Sequence, residues 1–223
     1  MADKSLKNTQ LYEERFGFKE RNSVFRYLIV LLSIFLLIFG VRIYFAKTFG
    51  GVVVDGESMN KTLQSGQRLL MRQTNEKFKA DYGDVIVVYV GDYEEYKGTG
   101  DPDYLIKRLI AKAGDKVRCQ EGQVYVQYGG VGEYVALDEP YAYYIYGKEL
   151  YNFAEYEVKE GEVFFLGDNR QNSMDSRYGT INGSRLKDRL YKEEDIYAVV
   201  PDWAIRYDDL VNFFFFPSEK GRK

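Results

Sequence analysis

The chain of 223 residues contains no histidine and a single cysteine, Cys119. Without histidine, the chain cannot form a Ser-His-Asp triad, so any serine nucleophile must use another base. One cysteine excludes an intrachain disulfide, and we expect Cys119 to be a small buried side chain. The lack of histidine, the single thiol and the absence of clustered carboxylates leave no pattern for a metal site, and no cofactor is predicted.

Positive charge is also in short supply. The formal net charge is −3, and residues 47–223 hold 24 basic against 30 acidic side chains. A surface that binds nucleic acid is expected to be basic, so nucleic acid is not predicted as a partner. Hydrophobic residues make up 45% of the chain, which is enough for one substantial core with a smaller appended lobe.

What the chain does have is a long apolar run over residues 27–46, interrupted by one charge at Arg42. Twenty helical residues extend about 30 Å, the thickness of a bilayer core. A cleaved signal peptide is the alternative, but 26 residues precede the run and no small-residue cleavage site follows it. We therefore predict a retained transmembrane helix at residues 27–46, after an N-terminal segment of residues 1–26.

The basic residues that flank this run predict its orientation. Only Lys47 and Lys61 lie within about twenty positions after the run, whereas six basic residues precede it. Lysine and arginine are enriched on the cytoplasmic side of membrane spans. The N-terminus is therefore predicted to be cytoplasmic, and residues 47–223 to form an extracytoplasmic domain at the cell membrane. The six preceding residues are Lys4, Lys7, Arg15, Lys19, Arg21 and Arg26.

The region after the apolar run consists of short apolar segments separated by Gly, Asp and Asn, which predicts a mainly β domain. Residues 91–103 contain the Gly-Asp, Gly-Thr-Gly and Asp-Pro steps that are typical of a loop. Residues 115–160 are rich in tyrosine, which suits the half-exposed sheet of a smaller β lobe. Residues 210–216 include four consecutive phenylalanines, and both a core strand and a membrane-contacting segment remain open for them.

Lys107 is a candidate for chemistry. If residues 104–111 form a strand, Leu105, Lys107 and Leu109 share one face, so the lysine has apolar neighbours. Burial disfavours the ammonium and lowers a lysine pKa from about 10.4 towards 7. A neutral lysine can serve as a general base. An ordinary lysine at a strand surface fits the same spacing, so the pattern alone does not decide.

Ser58 offers a matching nucleophile. It follows the apolar residues 52–54 in a turn that contains Gly56, a setting where a hydroxyl can be exposed and a backbone N–H left free for an oxyanion. Serines in such turns are also common turn formers. Taken alone, the position leaves both interpretations open.

Four segments in order strengthen the catalytic interpretation: residues 58–63, 82–88, 107–115 and 167–177. Their identity and order resemble the motifs of type I bacterial signal peptidases, and agreement in four motifs is far more specific than one short match. The resemblance covers roughly residues 27–200. It implies an antiparallel β-barrel-like catalytic core with a smaller β lobe, in which residues 137–141 look like a strand, preceded by one N-terminal transmembrane helix.

The resemblance implies a serine endopeptidase with a Ser-Lys dyad, in which Ser58 is the nucleophile and Lys107 the general base. Ser173 would hydrogen-bond Lys107 and help to orient it. The chain would remove N-terminal signal peptides from secreted preproteins at the outer face of the membrane, without a cofactor. Its partners would be those preproteins and the lipid bilayer.

The resemblance also assigns supporting and substrate-binding residues. Asp175 and Arg177 would form a structural ion pair beneath the site. Asp168 and Arg108 would form another on the far side of the strand that carries the base. The substrate would lie extended as an added strand, with small side chains at the first and third positions before the cut. The residues beside it would be Met59, Ile86 and Leu105.

Two departures from the family pattern stand near the nucleophile. Lys61 occupies a position where the family usually has proline, which predicts a less rigid turn. Gly56 lacks the hydroxyl that some members place in the oxyanion hole, so the hole would depend on the Ser58 N–H and other backbone donors. Two related alternatives are a pilus-associated assembly chaperone of the same fold and a peptidase dedicated to pilin processing. A self-cleaving Ser-Lys repressor is disfavoured, because no DNA-binding helices precede the motifs.

Overall fold

The structure is a computed structural model that describes residues 2–93, 103–181, 184–185 and 191–216, with the backbone alone for residues 2–22, 178–181 and 184–185. Most of the loop predicted at residues 91–103 lies outside the described residues. The chain divides after Thr48 into two compact units, one of which begins at Phe49.

The first unit contains a single long helix, α1 (Ala2–Thr48). Its apolar part, Ser23–Thr48, has a mean hydropathy of 2.6 and is long enough to cross a membrane by length and composition. The apolar side chains on this part are exposed around the helix, Leu37 at 68% among them. A helix that is apolar on all sides needs an apolar surrounding, and the run predicted at residues 27–46 lies within it.

The second unit is mainly β. Its strands within the described residues are β1 (Phe49–Val53), β2 (Arg68–Gln73), β3 (Val85–Tyr89), β4 (Tyr104–Lys112), β5 (Lys116–Gln120), β6 (Gln123–Gln127), β7 (Val135–Ala136), β8 (Phe153–Glu157), β9 (Glu162–Leu166), β10 (Thr180–Ile181), β11 (Ser184–Arg185), β12 (Tyr191–Lys192) and β13 (Ile196–Val200). The helices are α2 (Asp202–Arg206) and α3 (Asp208–Phe215), with 3-10 turns at Tyr128–Gly130, Lys148–Leu150, Ser176–Gly179 and Glu193–Asp195.

Seven strands form one curled antiparallel sheet in the order β1-β2-β13-β3-β4-β9-β12. A second sheet, in the order β7-β6-β5-β8, holds the tyrosine-rich part of the chain, and β10 pairs with β11. The prediction of a mainly β fold with a smaller second sheet is confirmed.

The central strand β3 is covered on both faces, which explains its continuous run of β-branched residues. Val85 and Val87 pack into a cluster with Met59, while Ile86 and Val88 pack into a different cluster on the opposite face. The alternation of strand side chains thus separates Ile86 from the residues that surround the turn after β1.

Two expectations about local structure are wrong. Residues 137–141 do not form a strand, because the ladder of β7 ends at Ala136; Pro140 has no N–H to donate, and Glu139 turns inward. The core strand considered for residues 213–216 is instead the end of helix α3. Acidic residues in its first turn favour the helix, and Phe213 and Phe214 are 73% and 63% exposed.

Candidate active site

The turn after β1 carries Ser58 and is anchored by its neighbour. Met59 is fully buried in the core cluster below, and its carbonyl accepts the N–H groups of Thr62 and Leu63 at 3.0 and 2.8 Å. Gly56 takes a positive φ of 82°, a backbone conformation that costs glycine little. The buried methionine and the turn hydrogen bonds therefore hold the Ser58 backbone in one place.

Lys107 and Ser58 meet at the mouth of this turn. The Lys107 Nζ lies 2.8 Å from the Ser58 Oγ and donates a second hydrogen bond to the Ile106 carbonyl at 3.0 Å. Lys107 comes from the middle of β4 and is only 3% exposed. The two side chains are within direct proton-transfer distance.

The surroundings of Lys107 favour a neutral amine. Burial lowers the pKa of Lys107 from its usual 10.5 to about 8, against the opposing charges of Asp175 and Asp168, which raise it. A pKa near 8 leaves an appreciable neutral fraction close to neutral pH, and a neutral amine has a lone pair that can accept the serine proton.

The segment 167–177 holds the Ser58 turn from the other side. The Asn169 N–H donates to the Ser58 carbonyl at 2.9 Å, and its side-chain amide donates to the Glu57 carbonyl at 3.1 Å. A Cβ added to Gly167 would come within 2.6 Å of the Ser58 carbonyl oxygen and 2.2 Å of the Ser173 Oγ. Only glycine therefore fits where this segment passes Ser58.

The backbone N–H of Ser58 is a candidate oxyanion donor. Within the described residues, the Ser58 N–H donates no hydrogen bond, whereas the Gly56 N–H donates to the Ser65 Oγ at 3.3 Å. A free N–H at the nucleophile is what an oxyanion hole requires. The arrangement supplies one such donor, and Gly56 adds no side-chain hydroxyl.

Ser173 lies in the wall of the same cavity as Lys107 but does not bond to it. Its Oγ is buried and has no hydrogen-bond partner among the described residues. Lys107 uses the Ser58 hydroxyl and the Ile106 carbonyl instead. The expected orienting hydrogen bond is therefore not formed in this structure, although the residue stands at the site.

Within the described residues, two ion pairs with buried carboxylates flank the site. Arg177 donates to Asp175 through Nε at 2.7 Å and through a terminal nitrogen at 2.9 Å. Burial raises the pKa of Asp175, but Arg177 and the Gly167 N–H together hold that pKa below its usual value. Asp175 thus stays ionised near Lys107 without touching it.

The second ion pair joins β4 to the segment 167–177. Arg108 donates to both carboxylate oxygens of Asp168, at 2.9 and 2.7 Å, and to the Gly83 carbonyl at 2.7 Å. Its guanidinium also lies 3.8 Å from the Tyr141 ring centroid. Thr62 donates a further hydrogen bond to Asp168. Asp168 therefore connects β4 to the turn that carries Ser58.

The described residues contain a further buried ion pair that the sequence does not predict. Arg170 is fully buried and donates to both carboxylate oxygens of Glu139, one of them at 3.1 Å. Backbone bonds between Tyr143 and the segment 167–177 run alongside. The pair connects the smaller lobe to the segment 167–177. The sequence gives one sign of it, an arginine among the other polar residues of that segment.

The cavity beside Ser58 and Lys107 has a volume of about 850 Å³. Met59 and Leu105, two of the predicted substrate-binding residues, line it. Ile86 does not, because it is fully buried in the cluster on the other face of β3. Val87, one residue along, lines the cavity in its place.

Lys61 adopts a conformation that proline cannot. Its φ is 77°, whereas proline is fixed near −65°. Its N–H also donates to the Asn60 side chain at 2.8 Å, and its ammonium lies 4.4 Å from the Tyr143 ring centroid. The turn with Lys61 in place of proline is therefore stabilised by a hydrogen bond and a ring contact of its own, and it is not simply less rigid.

Known proteins resemble the chain over the region that holds this site. A family model described as "Signal peptidase, peptidase S26" matches residues 24–191. Signal peptidase I of Bacillus licheniformis is 30% identical over 164 residues, which cover 72% of this chain and 81% of that protein. Signal peptidase I U of Bacillus subtilis (strain 168) is 33% identical over 156 residues, which cover 68% and 77%.

A solved structure gives a weaker match. It is a signal peptidase I from Enterococcus faecalis V583, with a TM-score of 0.38 and 22% identity, and the match covers 56% of this chain and 98% of that one. The family model, by contrast, spans the turn with Ser58, strand β4 and the segment 167–177.

Proposed function

The chain belongs to the signal peptidase family, peptidase S26, and on that premise we propose that it is a membrane-anchored serine endopeptidase that removes N-terminal signal peptides from secreted preproteins. Ser58 is the nucleophile and Lys107 the general base. The observation that carries the proposal is the 2.8 Å contact between a buried lysine amine and the hydroxyl of a serine with a free backbone N–H.

The reaction begins when the neutral Lys107 amine takes the Ser58 proton as the hydroxyl oxygen attacks the scissile carbonyl. The negative charge that develops on the carbonyl oxygen is stabilised by the Ser58 N–H. The Lys107 ammonium then gives its proton to the leaving amine, and the signal peptide remains attached to Ser58 as an ester. Water attacks this ester while Lys107 takes its proton, and Ser58 is released with its hydroxyl restored.

The anchor places this chemistry at a membrane surface. Helix α1 spans the bilayer through Ser23–Thr48, the N-terminus lies in the cytoplasm, and the β domain lies outside. The hydropathy of the helix supports the span, and the excess of basic residues before it supports the orientation. Signal peptides emerge from the same bilayer, so enzyme and substrate meet in two dimensions.

Helix α3 provides a second membrane contact in this proposal. Leu210, Phe213 and Phe214 are exposed on it. Exposed leucine and aromatic side chains on a short helix favour the bilayer interface. Phe49 directly follows the candidate span, and its ring packs on Trp203 of α2 at 5.5 Å between centroids. The helix that precedes α3 therefore contacts the first residue after the span.

Because Trp203 is the single tryptophan of the chain, its fluorescence reports on this contact. We expect brominated lipids to quench Trp203 in the reconstituted full chain, and replacing Phe213 and Phe214 with serine to reduce the quenching. Equal quenching by brominated and ordinary lipids would refute the contact.

Cleavage of a purified preprotein by the full chain in detergent tests the enzymatic proposal. Ser58→Ala and Lys107→Met should each lower kcat by at least about a thousandfold. Lys79→Met removes an exposed lysine that pairs with Glu193 and should leave the rate unchanged. Variants at Ser58 and Lys107 that cleave as fast as the parent would refute the dyad, and a parent that binds pilins without cleaving them would favour the assembly role.

A further inference from the structure

The cavity that contains the dyad continues along β4 to a pair of tyrosines. Tyr104 and Tyr197 line the same cavity as Ser58 and Lys107. Tyr104 lies three positions before Lys107 on β4, a distance of about 10 Å at the usual rise of a strand. A peptide that lies extended along β4 with its reacting carbonyl at Ser58 would reach the tyrosines about three residues away.

A β-bulge directs Tyr197 to this place. In the pairing of β13 with β3, Ile196 opposes Val88 and Ala198 opposes Val87, so Tyr197 is the extra residue between them. Bulges redirect the side chain of the inserted residue. Here the Tyr197 carbonyl accepts the Thr74 N–H at 3.1 Å, which holds the bulge against β2.

The two rings form a fixed aromatic wall that stays accessible. Their centroids lie 5.3 Å apart, and Tyr104 also packs on Tyr89 at 5.3 Å. The Tyr197 hydroxyl is bonded to the Gln73 side chain. Tyr104 and Tyr197 nevertheless remain 43% and 37% exposed. Positioned rings with open faces bind apolar side chains at a low entropic cost.

The cavity is apolar beside the two tyrosines. Leu105 and Ile106, which follow Tyr104 on β4, line the cavity together with Tyr104 and Tyr197. These four side chains are large and carry no charge. They present a surface that suits an apolar side chain of the substrate rather than a charged one.

We propose that Tyr104 and Tyr197 form a subsite that takes a bulky apolar or aromatic side chain of the signal peptide, about four residues before the cut. The proposal rests on the proposed function, because it assumes that the substrate is a peptide cleaved at Ser58. Selection at this subsite acts on substrate binding, so it is expected in KM more than in kcat.

Two preproteins that differ only at the fourth residue before the cut, leucine or glycine, test the subsite on the full chain in detergent. The parent should cleave the leucine form about tenfold more efficiently in kcat/KM, in line with the gain from one apolar side chain in a pocket. Tyr197→Ala and Tyr104→Ala should reduce this ratio to below about twofold, while Tyr197→Phe keeps it. Tyr146→Ala, at a tyrosine exposed elsewhere, is the matched control and should also keep it.

The outcomes separate the two claims. A parent that cleaves neither preprotein refutes the proposed function and the subsite with it. A parent that cleaves both forms equally well, or tyrosine variants that retain the tenfold ratio, refute the subsite alone. A second pair of preproteins varied after the cut tests the direction of the groove. If the tyrosine variants alter that pair instead, the assignment to the signal peptide side is wrong.

Discussion

Two neighbouring cations on β4, Lys107 and Arg108, are both buried, at 3% and 7% exposure, yet their surroundings drive their pKa values in opposite directions. Burial lowers the pKa of Lys107 to about 8. Burial also opposes the charge on Arg108, but hydrogen bonds to Asp168 and its charge raise the pKa of that guanidinium. Arg108 on one side of the strand therefore stays charged, whereas the amine of Lys107 on the other side can lose its proton.

The difference lies in where the carboxylates are bonded. Asp168 bonds both of its oxygens to Arg108, and Asp175 bonds both of its oxygens to Arg177. Each acid is therefore close enough to raise the pKa of Lys107, but neither makes an ion pair with it. The two arginines occupy the oxygens of the buried acids and leave the lysine to interact with a hydroxyl and a carbonyl.

The most severe test of this comparison makes Lys107 resemble its neighbour. Lys107→Arg places a group that cannot be deprotonated in proteins beside Ser58, so we expect a loss of at least about a thousandfold in kcat at every accessible pH. Steady-state cleavage of a preprotein between pH 6 and 10 measures it. Activity that recovers at high pH would show that the base is another group.

Removing the partner of Arg108 should cost stability. Asp168→Asn leaves a buried guanidinium without its counter-charge, and we expect a loss of about 3 to 5 kcal/mol in the free energy of unfolding. Urea unfolding of the full chain in detergent measures it. Glu193→Gln breaks the exposed pair with Lys79 and should change stability by less than about 1 kcal/mol. Equal effects of the two substitutions would contradict the distinction between the buried and the exposed pair.

Lys107→Met should increase stability, although it should lower activity. In the parent, the pKa of Lys107 is about 8 in the folded state, below the usual 10.5. At and below pH 8, the buried ammonium therefore destabilises the folded state. At about 1.4 kcal/mol for each pKa unit, the variant should be more stable at pH 7 by on the order of 3 kcal/mol.

The stability of the parent should change with pH in a defined direction. Between pH 8 and 10.5 the unfolded parent binds a proton that the folded parent does not, so the stability of the parent rises with pH. The gain of Lys107→Met should therefore shrink over this range. A gain that is independent of pH would mean that packing, and not charge, causes it.

The smallest effect concerns the tuning of Lys107 by Asp175. Asp175→Asn removes a negative charge that raises the pKa of Lys107, while the positive charge of Arg177 remains. The pKa of Lys107 is therefore expected to fall, so the midpoint of the pH dependence of kcat/KM should move to lower pH. An unchanged or higher midpoint would show that Asp175 acts only on the fold.

Much of this arrangement follows from the sequence, and the part that does not depends on tertiary contacts. The apolar neighbours of Lys107 in a period of two already indicate a buried lysine, and the ordered motifs supply Ser58 as its partner. The sequence does not tell which face of the doubly covered strand β3 meets the cavity, so it does not distinguish Ile86 from Val87 as the residue at the groove. That choice is made by the packing of β3 between two clusters.

The same limit applies to contacts between distant parts of the chain. Arg170 and Glu139 are 31 positions apart, and nothing local marks either side chain as buried. The bulge at Tyr197 depends on the pairing of β13 with β3. The sequence of residues 210–216 leaves a core strand and a membrane-contacting segment open, because a short apolar run fits either of them.

The pH dependence of kcat/KM for the parent enzyme tests the central claim most directly, because it reports the ionisation of the free enzyme. With a buried, unpaired Lys107 as the base, the rate should rise with pH as one ionisation with a midpoint near 8 and then level off. A rate that stays flat down to acidic pH, or that falls as pH rises through 8, would contradict the assignment of Lys107 as a neutral general base.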